Sequence, residues 1–225
     1  MPVRVLPVAF FLVGMLVQCV TLRNPRFLRP LLQGGGRYIR SETAFNFSKS
    51  ELERHHVDSL AFYHALRDCK DGYIAHHVNA ALDVLSDAVR LYGPRYLISS
   101  YNGGKDADVI MHLLRAVTAK FEKDNGVPCR SQLVYFAIDD EFSEVIDHIK
   151  ATQLMYDLDI AQYNCGIVQG LKLHVDTMGI GNGTAPAFIL GTRKGDPNCG
   201  DQETFAPSSD WMPVPFMRVN PILKW

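Results

Sequence analysis

A short segment with two glycines, a lysine and an aspartate is the part of this sequence best suited to chemistry. Residues 100–106 read Ser-Tyr-Asn-Gly-Gly-Lys-Asp, between a strand-like run and an amphipathic helical pattern. Gly103 and Gly104 allow a backbone to approach a ligand closely because they lack a Cβ. A helix that begins directly after them presents free N–H groups and the positive end of its dipole. The segment therefore predicts a phosphate-binding turn; a glycine-rich turn without a ligand is the alternative.

Each polar residue of this segment has an expected role at a pyrophosphate. The amide of Asn102 can donate to a phosphate oxygen, and Lys105 supplies a positive charge. Asp106 can organise the turn or hold a phosphate-bound Mg²⁺. The segment differs from the common P-loop, which has four residues between its glycines and Ser or Thr after the lysine. The set predicted to bind pyrophosphate is Ser100, Asn102, Gly103, Gly104, Lys105 and Asp106.

A second candidate loop, Gly191-Thr-Arg-Lys-Gly-Asp-Pro197, follows the apolar strand predicted at 187–190. In open parallel sheets, ligands bind outside the carboxyl ends of the strands, where the strand order reverses. Both loops leave their strands at that end. We therefore expect one site built from two segments that are distant in the sequence, with Arg193 stabilising phosphate charge.

Alternating helical and strand patterns predict the elements that position these loops. An α/β fold with a Rossmann-like, doubly wound, mostly parallel sheet is expected, because buried-looking strands alternate with amphipathic helices. Residues 204–225, rich in proline and aromatic residues, are predicted to be an irregular C-terminal arm, either a surface arm or one wall of an aromatic-ligand pocket. The predicted helices cover 48–66, 69–92, 105–123, 142–157 and 166–178, and the strands cover 95–101, 132–138, 159–164 and 187–190.

The first 41 residues are predicted to be a leader that is separate from the domain at 42–225. Residues 5–22 form an apolar run near the lower length limit for a membrane-spanning helix. Six arginines and no acidic residue precede Glu42. Because the whole chain has a formal charge of −1, residues 42–225 alone carry −7. A membrane anchor, a signal peptide, an organelle transit segment and a gene-model artefact all remain open. An anchor would place the domain on the cytosolic side; a transit segment would favour an organelle such as the mitochondrion.

Composition argues against several classes of function. A net charge near zero gives no reason to expect nucleic-acid binding. The histidines lack metal-ligand spacing, so no transition-metal site is expected. The cysteines lack C-x-x-C spacing, which indicates reduced thiols, and Cys199 is expected to be the most exposed of them. The five cysteines are Cys19, Cys69, Cys129, Cys165 and Cys199.

With these segments in place, the chain resembles the eukaryotic-type FAD synthetases of the PAPS-reductase-like adenine nucleotide α-hydrolase superfamily. The motifs that carry the resemblance are YNGGKD (101–106), YFAIDDEFSEVIDHI (135–149), GTRKGDP (191–197) and FMRVNPILKW (216–225). The first motif marks the superfamily, and the last two narrow it to the FMN-adenylating branch. The resemblance implies a nucleotidyltransferase of FAD biosynthesis, which transfers AMP from ATP to FMN and gives FAD and pyrophosphate with Mg²⁺.

The resemblance also implies roles for residues outside the turn. The strand around Tyr135 to Ile138 would offer backbone groups to adenine, so Tyr135, Ile138 and Gly191 would belong to the ATP site. The catalytic residues would be Asn102, Lys105, Asp106 and Arg193, with Asp106 at the metal. The predicted FMN-binding residues are Arg193, Asp196, Asp210, Arg218 and Asn220.

Some features depart from the family pattern. Lys194 replaces a second arginine, and Trp211 is displaced by two positions relative to the family's tryptophan. The family continues past the position of Trp225, so the chain is interpreted as truncated relative to it. A non-catalytic nucleotide- or flavin-binding remnant and a sulfonucleotide-using relative are the alternative functions. The oligomeric state is left open.

Overall fold

The computed structural model describes residues 59–137, 140–180, 183–197 and 199–225. The predicted leader at 1–41 and most of the helix predicted at 48–66 lie outside these ranges. Among the described helices, none has both the length and the apolar content that crossing a bilayer requires.

Five α-helices, one short 3₁₀-helix (Pro94–Tyr96) and six strands make up the described domain. The helices are α1 (Ser59–Arg67), α2 (Ala75–Tyr92), α3 (Lys105–Asn125), α4 (Ser143–Met155) and α5 (Ile167–Met178). The strands are β1 (Leu97–Ser100), β2 (Gln132–Phe136), β3 (Ile160–Tyr163), β4 (Ala187–Ile189), β5 (Phe205–Pro207) and β6 (Met217–Val219).

The six strands form one sheet in the order β3-β2-β1-β4-β6-β5. All neighbours are parallel except the β5–β6 pair at one edge, which is antiparallel. From β1 the chain moves outward to β2 and β3, then returns to β4 on the other side of β1. The strand order therefore reverses between β1 and β4, and a crevice is expected at their carboxyl ends. The predicted α/β, doubly wound, mostly parallel fold is confirmed.

Alternating side chains of the strands fill two cores, one on each face of the sheet. Leu97, Ala187 and Ile189 pack beneath α1, α2 and α3, and this face continues beneath α4. Ile98 and Phe188 point to the opposite face, where α5 packs. Because both faces are covered, the strands are apolar at successive positions, as in other parallel sheets.

The C-terminal arm is more regular than its composition predicts. It contains β5 and β6, and β6 inserts between β4 and β5. The four prolines at 207, 213, 215 and 221 lie at the end of β5 or outside the strands. The sheet therefore extends beyond β4. Strand β6 is only three residues long, which is too short for an alternating pattern to predict it.

Helix α2 begins six residues later than the predicted 69–92. Asp71 explains the difference, because its Oδ1 accepts the backbone N–H groups of Tyr73 at 2.8 Å and Ile74 at 3.0 Å. This Asx turn competes with helical hydrogen bonding over residues 71–74. Cys199 also differs from expectation, since it is buried rather than exposed.

Helix α5 approaches β2 so closely that only a glycine fits at position 170. A Cβ there would lie 2.3 Å from Cδ1 of Phe136, whose ring packs near Tyr163 and Phe188. We expect Gly170→Ala to lower the free energy of unfolding by about 1–3 kcal/mol, because overpacking outweighs the gain in helix propensity. Gly72→Ala is the matched control, since a Cβ at Gly72 meets nothing within 4 Å. Equal denaturant midpoints for the two variants would contradict this packing.

His174 of α5 should make the protein acid-sensitive. Its Nδ1 lies 3.1 Å from the hydroxyl of Tyr163, and its buried Nε2 has no hydrogen-bond partner among the described residues. Burial lowers the pKa of His174 from 6.5 to about 4. The unfolded chain therefore binds the proton more tightly than the folded chain does. The free energy of unfolding is unaffected by His174 above pH 6.5 and falls as the pH drops from 6.5 toward 4. Chemical denaturation at several pH values between 7 and 4 gives the free energy of unfolding as a function of pH. This free energy should fall less steeply with falling pH in His174→Asn than in the wild type, by up to about 1.4 kcal/mol per pH unit. Identical slopes would disprove this assignment.

Candidate active site at the reversal of strand order

The turn after β1 has the geometry of a phosphate cradle. Gly103 adopts φ +70°, a left-handed conformation that favours glycine. Oδ1 of Asn102 accepts the N–H of Gly104 at 3.0 Å, which shapes the turn. Ser100 is the last residue of β1, directly before this turn. Asn102 therefore organises the turn through its carbonyl oxygen, while its amide N–H₂ group remains available to a ligand.

Helix α3 begins at Lys105, directly after Gly104, and no side chain of the described residues caps its N-terminus. The first-turn N–H groups are therefore open to an anion, and the helix dipole favours negative charge at this point. Lys105 is exposed, whereas Asp106 is about two-thirds buried. The helix end thus supplies donors and positive potential where a phosphate group can approach.

The loop after β4 is held in shape by Asp196. Its Oδ2 accepts the backbone N–H of Arg193 at 2.7 Å, and its Oδ1 lies 3.7 Å from Nη2 of the same arginine. Asp196 donates its own N–H to the carbonyl of Arg193 at 3.1 Å. Asp196, predicted to bind FMN, therefore fixes the arginine loop, and contact with a flavin stays a prediction.

The two loops meet, as the sequence predicted. Nη2 of Arg193 lies 3.3 Å from Oδ2 of Asp106, and Nζ of Lys105 lies 3.9 Å from the same oxygen. A Cβ at Gly191 would lie 3.3 Å from Cβ of Asp106, so the glycine permits this approach. Nε of Arg193 is buried without a hydrogen-bond partner among the described residues. Two cationic groups and the open end of α3 therefore converge at the carboxyl ends of β1 and β4.

Of the two named residues predicted to lie near adenine, Tyr135 is in the described part of the chain. Tyr135 lies in β2 with its side chain buried, and its hydroxyl donates to Glu141 at 3.3 Å. Burial, followed by the nearby charge of Glu141, raises the pKa of this phenol. The backbone of Tyr135 pairs with Gln162 of β3, so contact of this residue with adenine stays a prediction. Ile138 lies outside the described residues.

The arm residues predicted to bind FMN have structural contacts of their own. Nη2 of Arg218 donates to Oγ of Ser209 at 3.0 Å, and its guanidinium lies over the ring of Phe216. Asn220 is 1% exposed and donates to the carbonyl of Glu203 at 2.9 Å. Asp210 is exposed. The contacts of Arg218 and Asn220 organise the arm. Contact of these two residues and of Asp210 with a flavin stays a prediction.

The arm also supports the arginine loop. The N–H of Leu190 donates to the carbonyl of Val219 at 3.0 Å, and the N–H of Lys194 donates to that of Leu223 at 2.7 Å. The predicted FMN residues are thus carried by a segment that is tied to both ends of the loop at Arg193.

Three residues beside the turn were missed by sequence reasoning. The hydroxyl of Tyr101 donates to Oδ1 of Asp108 at 2.6 Å, and Nε2 of His148 lies 3.1 Å from Oδ2 of Asp108. Burial, together with the Asp108 carboxylate, raises the pKa of Tyr101, although a contact with Thr152 opposes the shift. The position of Asp108 in the first turn of α3 can be read from the local sequence. Its pairing with His148, 40 residues away, cannot, because it depends on how two helices pack.

Comparison with known proteins finds one matching family model and several similar proteins. Residues 96–181 match the family model of the phosphoadenosine phosphosulfate reductase domain. A probable FAD synthase of Caenorhabditis elegans is 29% identical over 153 residues, which is 66% of this chain and 27% of that protein. A probable FAD synthase of Schizosaccharomyces pombe is 27% identical over 182 residues, 78% of this chain and 65% of that protein. Over these spans the chain is similar to the eukaryotic FAD synthases and to the phosphoadenosine phosphosulfate reductase domain.

A solved structure agrees with the fold. The Candida glabrata FMN adenylyltransferase in complex with FAD and inorganic pyrophosphate matches with a TM-score of 0.62 and 20% identity, over 74% of this chain and 59% of that one. The chain thus spans about a quarter of the nematode protein and less than two thirds of the two yeast proteins. The fold is shared.

The role of Asp196 in the arginine loop can be tested without a ligand. Asp196→Ala removes the acceptor of the Arg193 N–H, so we expect that amide to exchange with solvent roughly tenfold or more faster, as for a lost hydrogen bond of about 1.5 kcal/mol. Hydrogen exchange followed by NMR measures this rate. Asp210→Ala, which removes an exposed carboxylate from the arm, is the matched control. Unchanged protection of Arg193 in Asp196→Ala would show that the bond is not formed in solution.

Proposed function

We propose that this chain is an FMN adenylyltransferase, which transfers AMP from ATP to FMN to give FAD and pyrophosphate. The observation that carries the proposal is the contact of Arg193 with Asp106, because it joins the two predicted loops at one end of α3. The named activity of the relatives supports the choice of ATP and FMN as substrates over a sulfonucleotide.

The reaction demands positioning and charge stabilisation more than covalent chemistry. An oxygen of the FMN phosphate attacks the α-phosphorus of ATP, and the bond from that phosphorus to the oxygen bridging to the β-phosphate breaks. The attacking phosphate is already ionised near neutral pH, so no strong base is needed. The leaving pyrophosphate would be held by Asn102, the backbone of Gly103 and Gly104, and the side chain of Lys105.

Arg193 would stabilise negative charge that develops on the phosphates. Its backbone is fixed by Asp196 and its guanidinium lies beside Asp106, so the group is in place before a nucleotide binds. Such preorganisation avoids the cost of reorientation during the reaction. An arginine in this role contributes roughly 10³-fold or more to the rate of phosphoryl transfer.

Magnesium fits this site as an ion that the nucleotide brings with it. Among the described residues, no group of three or more His, Cys, Asp or Glu side chains forms a protein cage for a metal. Mg²⁺ is commonly held by one or two carboxylates together with substrate phosphates. Asp106 would be the protein ligand, and the ion would neutralise charge on the phosphates when bound.

The proposal predicts FAD formation that requires both ATP and FMN. Purified chain should release one pyrophosphate for each FAD, as measured by chromatography and a coupled pyrophosphate assay. Asp106→Ala and Arg193→Ala should each lower kcat by roughly 10³-fold or more. Arg130→Ala and Asp176→Ala remove comparable charges at exposed ion pairs and serve as controls.

Calorimetry separates this function from the non-catalytic alternative. Tight ATP or FAD binding by a folded chain that forms no FAD would favour a nucleotide-binding remnant. Normal rates in either Asp106→Ala or Arg193→Ala would remove that residue from the catalytic assignment.

A further inference from the structure

Asp108 is a second acidic residue in the first turn of α3, and the proposed reaction does not use it. Its side chain is about three-quarters buried. Oδ1 accepts the hydroxyl of Tyr101 at 2.6 Å, and Nε2 of His148 lies 3.1 Å from Oδ2. A carboxylate with both oxygens bonded to groups on other elements is suited to holding those elements together.

Tyr101 and Asp108 bracket the phosphate-binding turn. The N–H of Tyr101 donates to the carbonyl of Val134 at 2.8 Å, which fixes the start of the turn against β2. The N–H of Asp108 donates to the carbonyl of Gly104 at 2.9 Å, which fixes its end in α3. Tyr101 is fully buried, so the position of its hydroxyl is set by the core. The bond between the two side chains therefore closes residues 101–108 into a ring around the turn.

Helix α4 lies directly against this ring. A Cβ at Gly103 would be 3.1 Å from Cγ1 of Ile149 and 3.4 Å from Cδ2 of His148. The left-handed conformation of Gly103 thus lies on a surface supplied by α4. Any shift of α4 relative to α3 would move the surface that supports Gly103, and the contact between His148 and Asp108 spans these two helices.

We propose that Asp108 and His148 are positioning residues, which hold α4 against the turn and so keep its backbone N–H groups aimed at the pyrophosphate part of ATP. This inference rests on the proposed function for the identity of the ligand. The two side chains act through the turn. His148 is about half exposed, so replacing it tests the contact without opening the core.

The test compares two substitutions of His148 that differ in one property. His148→Phe keeps a ring against Gly103 but removes the donor to Asp108, whereas His148→Gln keeps a donor. We expect His148→Phe to weaken binding of inorganic pyrophosphate by roughly 10- to 100-fold and to lower kcat, with the KM for FMN unchanged. His148→Gln should recover most of the affinity. Asp147→Asn, an exposed charge change one residue earlier in α4, is the matched control.

A readout without ligand tests the geometry directly. Hydrogen exchange over residues 101–106 should be faster in His148→Phe than in the wild type or Asp147→Asn. The double variant His148→Phe/Asp108→Ala should bind pyrophosphate no more weakly than Asp108→Ala alone, since Asp108→Ala has already removed the contact with His148.

The outcomes separate this inference from the proposed function. If the wild type binds pyrophosphate, but His148→Phe binds it equally well with unchanged exchange, the positioning role is wrong and the adenylyltransferase proposal stands. If the wild type neither binds pyrophosphate nor forms FAD from ATP and FMN, both proposals are wrong. If His148→Gln is as impaired as His148→Phe, the donor to Asp108 is not the group that matters, and the inference is also wrong.

Discussion

The contact between the first turn of α3 and the loop after β4 is the constraint on which the candidate site depends. It requires β1 and β4 to be neighbours, although 86 residues separate the end of the first from the start of the second. It also requires Gly191 to lack a side chain, because a Cβ there would crowd Asp106. Given both conditions, Arg193 reaches Asp106, and an arginine from one half of the sheet is held at the anion-binding end of a helix from the other half.

The C-terminal arm supports this contact from behind. Strand β6 pairs with β4, and the arm accepts the N–H groups of Leu190 and Lys194 on either side of Arg193. A loop between two such bonds has fewer conformations to lose when a ligand binds, which lowers the entropic cost of ordering it. Residues Arg218 and Asn220 contribute by fixing the arm, through bonds to Ser209 and Glu203. The arm is therefore part of the sheet that positions the site.

Local patterns predicted most of the fold, and long-range contacts account for what they missed. Helices α3, α4 and α5 and strand β3 lie within about two residues of their predicted ends, because periodic burial and glycine signals are local. The start of α2 was misplaced because a single carboxylate, Asp71, captures two backbone donors. Strand β6 was missed because three residues show no period. The meeting of the two loops was predictable from topology, whereas the pairing of Asp108 with His148 depends on how α3 and α4 pack.

The two acids in the first turn of α3 show how such a turn can be fixed and remain open. Residues two apart on a helix point in different directions. Asp106 accordingly faces Arg193 of the β4 loop, while Asp108 faces Tyr101 and His148 on the side of α4. Each carboxylate ties the helix to a different neighbour, and neither caps its N-terminus. The first-turn N–H groups between them stay unbonded to side chains of the described residues. Rigidity thus comes from the flanks, and the centre is left to a phosphate group.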